Sequence, residues 1–308
     1  MTSTGRGGAT TAAAPPPGPG QLAGLPRVPL RHYGRWVSAA VVIVLVALLA
    51  RAFAQGGIEW SVVGRYLTAS AILHGLQNTV IITLCSMALA IVLGVLVAVM
   101  RMSANPVTRT VAFGYIWLFR GIPVLLQLLI WYNLALVFPT VGFGPFEARM
   151  IDVMTPFMAA LLGLGINMSA YTAELVRAGI LAVDKGQIEA AQAISLTPNQ
   201  IRRRIVLPQA MRVILPPLGN EFISTLKMSS LAAVITYGEM LETAEFIYYS
   251  NNRVIELLIV AAIWYLAVVS VLSVIQHFVE RRFGRGFQST PTRRARSIGR
   301  RLKGAPEQ

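Results

Sequence analysis

Charged side chains are scarce in this chain: Asp, Glu, Lys and Arg together make up 13% of 308 residues, about half the share found in soluble domains. Cys85 is the single cysteine and lies in an apolar run, so the sequence predicts neither a disulfide nor a cysteine metal site. The three histidines, at 32, 74 and 277, are scattered over separate segments. This composition argues against an ordinary soluble domain and against a clustered cysteine and histidine metal centre.

Several catalytic motifs are missing as well. The sequence contains no Gly-x-x-x-x-Gly-Lys-Ser/Thr phosphate-binding loop, no His-Glu-x-x-His and no Gly-x-Ser-x-Gly. We therefore expect no ATPase site in this chain and find little support for a membrane-embedded enzyme.

Acidic residues are few compared with basic ones, 13 against 27, which gives a formal net charge of +14. Such an excess can indicate nucleic acid binding. Here, however, the basic residues lie in short segments between apolar runs. We predict no nucleic acid partner and attribute the basic residues to membrane topology.

Apolar sequence is abundant: hydrophobic residues make up 55% of the chain, and the mean hydropathy is +0.61. Six apolar stretches each approach the length of about 20 residues that a helix needs to cross the hydrocarbon of a bilayer. They lie at residues 36–54, 74–100, 113–138, 153–176, 214–236 and 255–278. The sequence thus predicts an all-α polytopic membrane protein with six spanning helices.

Both ends of the chain differ from this apolar centre. Residues 1–35 include a run rich in proline and glycine at 14–20 and few large apolar side chains. Too little apolar surface is available there to offset the entropy of ordering the backbone, which predicts a disordered tail. Residues 281–308 form a basic tail.

The first apolar stretch, residues 36–54, allows two interpretations. Basic residues precede it and Ala52-Phe53-Ala54 resembles a cleavage site, as in a secretory signal. Arg51 beside that site and the distance of the stretch from the N-terminus favour a retained transmembrane helix. Either interpretation delivers Gln55 to the outer side.

The distribution of lysine and arginine predicts the orientation. With the N-terminal tail in the cytoplasm, the inner segments carry most basic residues, and the outer segments carry only Arg51, Arg65, Arg149 and Arg253. We therefore place both termini in the cytoplasm, together with the long loop at 177–212.

The loop at 177–212 carries a spaced motif, Glu-Ala-Ala at 189–191 followed by Ile-Val-Leu-Pro at 205–208. This spacing resembles the EAA signature of membrane subunits of ATP-binding-cassette importers, with Ser195 in place of the usual glycine. The resemblance implies that an ATPase subunit docks on Glu189, Ala190, Ala191, Ser195, Ile205, Leu207 and Pro208. The alternative is that the alanines only form a stable surface helix, and the spacing favours docking.

Local chemistry predicts two short helices in this loop. Residues 187–194 are good helix formers that end near Ser195, where a left-handed conformation is expected. Thr197 as N-cap and Pro198 in the first turn start the second helix, and Pro208 marks where it cannot continue unbroken. Alanines at 190, 191 and 193 leave a surface of small side chains, so we expect Ala191→Asp to release the ATPase from an inserted protein.

From Gly75 to Phe283 the chain is similar to the polar amino acid branch of these permeases. The motifs are Gly-Leu-Gln-Asn-Thr at 75–79, Arg-Gly-Ile-Pro at 120–123, Tyr-Thr-Ala-Glu-Leu-Val-Arg at 171–177 and Leu-Pro-Pro-Leu-Gly-Asn-Glu-Phe-Ile at 215–223. The resemblance implies a five-helix importer permease core at 74–280, to which the chain adds one N-terminal transmembrane helix.

The resemblance also implies ATP-driven amino acid import by alternating access in a bacterial cytoplasmic membrane. Its partners are a cytoplasmic ATP-binding subunit dimer, a second permease chain, identical or related, and an extracytoplasmic solute-binding protein. ATP and Mg belong to the ATPase subunits, so no cofactor is expected in this chain. A secondary carrier would more often show an internal repeat, and a channel would not need a docking helix.

The fifth apolar stretch carries a polar face, formed on a helical wheel by Asn220, Glu221, Ser224, Thr225, Lys227 and Met228. Glu221 and Lys227 each cost roughly 3 kcal/mol near the bilayer centre, so insertion of this stretch is close to break-even. We expect the face to border the translocation path, and the prolines at 216 and 217 favour an interrupted helix. Structural ion pairs of Glu221 and Lys227 are the alternative. Met228 stands where the family often has an acidic or amide residue, which leaves a ligand role for that position open.

Other residues in the spans have simpler interpretations. Arg120, Glu174 and Arg177 are placed near cytoplasmic helix ends, where long side chains reach the interface. Gly94, Gly163 and Gly165 are expected to permit close helix approach.

Overall fold

The computed structural model describes residues 33–144 and 147–283. The predicted disordered tail up to residue 32 and the basic tail beyond 283 therefore lie outside the described residues. The described residues form two units, which meet at the boundary between residues 58 and 59.

Helices make up nearly all of the described structure. The first unit contains α1 (Tyr33–Gln55). The second unit contains α2 (Trp60–Leu67), α3 (Ser70–Arg101), α4 (Pro106–Gly121), α5 (Val124–Tyr132), a 3-10 turn (Leu134–Leu136), β1 (Thr140–Val141), β2 (Ala148–Arg149), α6 (Met150–Val153), α7 (Pro156–Leu181), α8 (Lys185–Ala193), α9 (Pro198–Ile201), a π-helical turn (Arg202–Val206), α10 (Leu207–Met228), a 3-10 helix (Ser229–Ile235), α11 (Met240–Asn251) and α12 (Val254–Phe283). The two short strands pair in an antiparallel hairpin. Because the remaining elements are all helices, the predicted all-α class is confirmed.

Four helices of the described residues are long and apolar enough to cross a membrane, namely α1 from Trp36, α3, α7 and α12. A fifth span results if α4 and α5 are counted together. The helix α10 is not among them, in keeping with the near break-even insertion expected from Glu221 and Lys227. The apolar side chains of α1 are exposed along its length, as a helix in lipid requires.

The third predicted span, residues 113–138, is wrong as a single helix. The chain bends by 100° between α4 and α5. Pro123 has no backbone N–H to donate, and the residue before a proline is driven from the helical conformation, so Ile122 is extended. The side-chain amide of Gln127 donates to the freed carbonyls of Phe119 and Ile122, at 3.0 and 2.8 Å, and Asn167 donates to Phe119 at 2.7 Å.

The fifth predicted span, residues 214–236, is also divided differently from the expectation. The helix α10 runs through Pro216 and Pro217 without interruption and gives way to a 3-10 helix only after Met228. Membrane helices tolerate internal prolines where neighbouring helices bond the backbone. At this point the Gln276 amide of α12 donates to the Pro216 carbonyl at 2.6 Å, which ties α10 to its neighbour.

Glycines allow the central helices to approach closely, as predicted. A Cβ atom on Gly94 of α3 would lie 2.7 Å from Thr172 of α7, and one on Gly165 of α7 would lie 2.7 Å from Leu89 of α3. Gly163 permits the same close approach of α7 to Leu128 of α5. Small residues are what let helix backbones pack tightly in a bilayer, so α7 is held in the middle of the second unit.

Candidate coupling loop and polar path

The loop between α7 and α10 contains the two short helices that the sequence predicts. The first, α8, ends at Ala193, and Ser195 has a left-handed φ of 58°. The Leu196 N–H donates to the Ala191 carbonyl at 3.1 Å, and the Ser195 N–H donates to the Gln192 carbonyl at 2.9 Å. This pair of bonds is a Schellman motif, which normally has glycine at the left-handed position.

Ser195→Gly is expected to stabilise the loop by about 1 kcal/mol, because a side chain in the left-handed region is strained and glycine is not. Thermal unfolding of the purified permease should show a higher midpoint for this variant. Ser195→Ala is the matched control, since it keeps the strained Cβ and removes only the hydroxyl. A midpoint for Ser195→Gly at or below that of the alanine variant would contradict the argument.

The second short helix begins as predicted. Thr197 caps α9 in a capping box with Gln200, and Pro198 occupies the first turn. The helix does not end at Pro208, however. A π-helical turn over Arg202–Val206 joins α9 to α10, so one helical path runs from Pro198 to Met228. Loss of the regular bonding pattern just before Pro208 is the local adjustment that a proline in a helix demands.

The residues of the signature differ in exposure. Glu189, Ala190, Ser195, Leu207 and Pro208 are exposed, and Ile205 is half-buried. Ala191 is only 3% exposed. The expectation of a continuous outer surface of alanines is therefore wrong for Ala191, because α8 packs against α9 and the π-helical turn on that side.

The base of the loop is fixed to the helical core. Val183 and Ala210, which flank the loop, belong to a buried apolar cluster with residues of α3, α4 and α7. Gly179 of α7 packs so closely against Ile214 of α10 that a Cβ atom at residue 179 would clash with it. Movement of the loop is therefore transmitted to α7 and α10 through tightly packed contacts.

The predicted polar face of α10 does not have one environment. Asn220 and Lys227 are exposed, whereas Glu221, Ser224 and Met228 are half-buried. Thr225 is fully buried and donates to the Glu221 carbonyl at 2.8 Å. Glu221 and Lys227 form no ion pair with each other among the described side chains.

Arg120 is exposed and lies in the last turn of α4 rather than at the start of the helix, so its predicted position near the cytoplasmic end is wrong. It is 14 residues into α4, about 21 Å from the start of that helix. Its guanidinium lies 4.8 Å from the centre of the Tyr171 ring on α7, and its charge acts on Glu221 of α10. Three of the motifs that carry the resemblance thus meet at one polar site. Glu174 and Arg177 form an ion pair at 2.7 Å on α7.

A buried carboxylate on another part of the fold was missed by the sequence analysis. Glu239 is fully buried and caps α11 by accepting from the Glu242 N–H at 2.9 Å. It also accepts from the Tyr265 hydroxyl of α12 at 2.6 Å and from Thr79 of α3 at 3.5 Å. The only sequence signal was an acidic residue directly before a helix. Burial, and then the charge of Glu245, raises the pKa of Glu242.

A loop packed tightly against the helical core, together with a polar site between helices, is what a coupled permease requires. Residues 90–285 match the family model described as "Binding-protein-dependent transport system inner membrane component". The chain belongs to this family. It is thus the permease subunit of an ABC importer, and ATP hydrolysis is carried out by a separate subunit, as the missing phosphate-binding loop predicted.

Relatives of this ABC permease agree with that membership. It is 41% identical over 284 residues to the arginine transport system permease protein ArgU of Corynebacterium glutamicum, which covers 90% of each chain. It is 31% identical to the glutamine transport system permease protein GlnP of Escherichia coli K12, over 73% of this chain and 97% of that protein. A crystal structure of an amino acid ABC transporter with histidines matches with a TM-score of 0.61 and 35% identity, over 69% of this chain and 94% of that one.

Proposed function

We propose that this ABC permease forms the translocation path of a bacterial importer for polar amino acids and opens it alternately to either side. The single observation that carries the proposal is the continuous helical path over 198–228, which holds the Ile-Val-Leu-Pro part of the signature at 205–208 and Glu221 further along. The names of ArgU and GlnP support an amino acid substrate. Arginine is the first candidate, because the match to ArgU covers the larger share of the chain.

The proposed complex contains two permease chains, identical or related, because one bundle of this size offers too few helices to surround a solute. Two cytoplasmic ATP-binding subunits hold ATP and Mg and dock on the loop at 177–212. An extracytoplasmic solute-binding protein delivers the amino acid to the opposite face. Both termini lie in the cytoplasm, as the distribution of lysine and arginine indicates.

Coupling begins when nucleotide-driven closure of the ATPase subunits displaces α8. The exposed side of α8 contacts the ATPase, and its inner side packs on α9 and the π-helical turn. From Pro208 to Glu221 the helix α10 rises about 20 Å. The displacement therefore reaches the site where Arg120 acts on Glu221.

Uptake should be driven by ATP hydrolysis and not by an ion gradient. In proteoliposomes holding both permease and ATPase subunits, uptake of radiolabelled arginine in the presence of the binding protein should fall to background when internal ATP is depleted. Ion gradients held constant supply the control. Uptake that persists on a gradient without ATP would mean that the chain works as a secondary carrier. Glutamine and histidine measured in parallel would identify a substrate other than arginine.

Glu221→Gln and Lys227→Met test the path. If these side chains border the path, we expect each neutral variant to reduce uptake at least tenfold, because a charge at this depth is retained for function or pairing. Glu147→Gln is the matched control, since Glu147 is exposed outside the spans. Unchanged uptake by normally assembled variants would assign Glu221 and Lys227 a purely structural role.

A further inference from the structure

An apolar groove lies between α3, α10 and α12. It has a volume of about 320 Å³ and is lined by Met87, Ile91, Leu215, Leu218, Gly219, Phe222, Ile223, Leu272, Ile275, Gln276 and Val279. This volume falls within the range of small-molecule sites. Ile91 and Ile275 are 39% and 53% exposed, so apolar lining continues onto the outer surface of the bundle.

The chemistry of the groove excludes a polar solute. Gln276 is its one polar side chain, and its amide is occupied by the Pro216 carbonyl at 2.6 Å and by Glu280 at 3.0 Å. Its oxygen faces Gly219 so closely that the site has no room for a Cβ atom at residue 219. The remaining lining offers only hydrocarbon and thioether contacts, which suit an alkyl chain.

Two arginines lie beyond one end of the groove. Arg212 is three residues before Leu215 on α10, and Arg282 is three residues after Val279 on α12, so each follows the groove side of its helix. The helices run in opposite directions because α11, which joins them, has 12 residues and is too short to cross a bilayer. Measured from Gln276 and its partner Pro216, Arg282 lies about 9 Å and Arg212 about 6 Å toward the same membrane surface.

Both arginines are available for an anionic ligand. Each is exposed, and neither belongs to an ion pair among the residues the structure describes. The sequence that follows Arg282 is rich in arginine. Basic residues at a membrane surface attract anionic lipid headgroups, whereas an apolar groove with neutral ends would not select a headgroup.

We propose that this groove binds one acyl chain of an anionic phospholipid whose headgroup phosphate pairs with Arg212 and Arg282. The lipid belongs to the leaflet at which α12 ends. Bound there, it would fill the gap between α10 and α12 beside the helix that carries the docking signature.

Lipid binding is tested on the full-length permease, purified in its complex and stripped of lipid with detergent. Dioleoylphosphatidylglycerol is titrated in, and bound lipid is counted by native mass spectrometry. The double variant Arg212→Gln with Arg282→Gln should weaken binding by about 30-fold, because each arginine near the membrane surface should contribute a factor of about five to the affinity for an anionic headgroup. The double control Arg65→Gln with Arg109→Gln removes the same charge elsewhere and should leave binding unchanged.

A second variant tests the apolar part. Ile275→Trp fills the rim of the groove and should weaken phosphatidylglycerol binding at least tenfold, whereas Ile263→Trp places the same group on α12 at a position that does not line the groove. Equal binding of phosphatidylcholine, or equal loss in both tryptophan variants, would overturn the proposal. It would also be overturned if Ile275→Trp separated two permease chains with lipid binding unchanged, because the groove would then be an interface between copies.

Discussion

Replacing Ala190 by aspartate is expected to reduce ATP-driven uptake at least 100-fold while the permease remains folded and inserted. Ala190 is exposed on α8, so the change removes no contact within the chain. If the ATPase subunit covers this side of α8, the new carboxylate is buried without a partner, which costs several kcal/mol. A loss of about 3 kcal/mol corresponds to more than 100-fold in affinity.

The measurement is co-purification of the ATPase subunit with a tagged permease, followed by uptake in proteoliposomes. Ala190→Ser is the matched control, because it adds one small polar group without a charge. If the Ala190→Asp variant retains the ATPase subunit and full uptake, then α8 contacts the ATPase through another side or does not contact it.

Ala191→Asp separates docking from folding of the loop. Ala191 is 3% exposed, so a carboxylate at this position is buried by the loop itself rather than by the partner. We expect the loop to loosen and to become sensitive to trypsin at the exposed arginines 202–204. The ATPase is then lost as a consequence, which revises the sequence-based expectation of release from an intact surface. Ala190→Asp with the same trypsin sensitivity would contradict this distinction.

Local chemistry explains why much of the loop could be predicted from sequence. A Thr-Pro pair both caps a helix and fits its first turn, so the start of α9 at Pro198 depends only on neighbouring residues. The left-handed Ser195 follows from the motif spacing and the end of a helix-forming run. The apolar stretches predict spans because a bilayer requires a minimum helix length.

Contacts between distant segments explain what the sequence did not predict. The inward position of Ala191 depends on how α8 folds back on α9. The depth of Arg120 depends on where α4 starts, which the apolar pattern placed at 113 although the helix begins at Pro106. The bend at Pro123 had a local signal, but continuous hydropathy concealed it. The hydrophobic periodicity of the sequence does not show that Tyr171 of α7 and Glu221 of α10 lie near Arg120 of α4.

Glu239→Ala is expected to destabilise the permease by about 3 kcal/mol or more, because it removes the acceptor shared by three helices. Glu239 is fully buried, and donors reach it from Tyr265, Thr79 and the backbone of Glu242. Thr79 keeps the Gly75 carbonyl as an acceptor at 3.0 Å, whereas the Tyr265 hydroxyl and the Glu242 N–H lose theirs, and each buried donor left without a partner costs about 1 to 3 kcal/mol. The sequence separations involved are 26 and 160 residues, so the contacts arise only in the assembled bundle.

A graded series of variants distinguishes this network from simple packing. Glu239→Gln keeps the size and one acceptor oxygen, and should cost clearly less than Glu239→Ala. Tyr265→Phe removes one donor together with its need for a partner, so it should cost about 1 kcal/mol. Thermal unfolding and monodispersity of the purified permease are the measurements, with Glu147→Ala as the exposed control. Equal stability of Glu239→Ala and the control would mean that apolar packing and the remaining hydrogen bonds, such as that from the Met240 N–H to Thr79 at 3.0 Å, hold α11 in place.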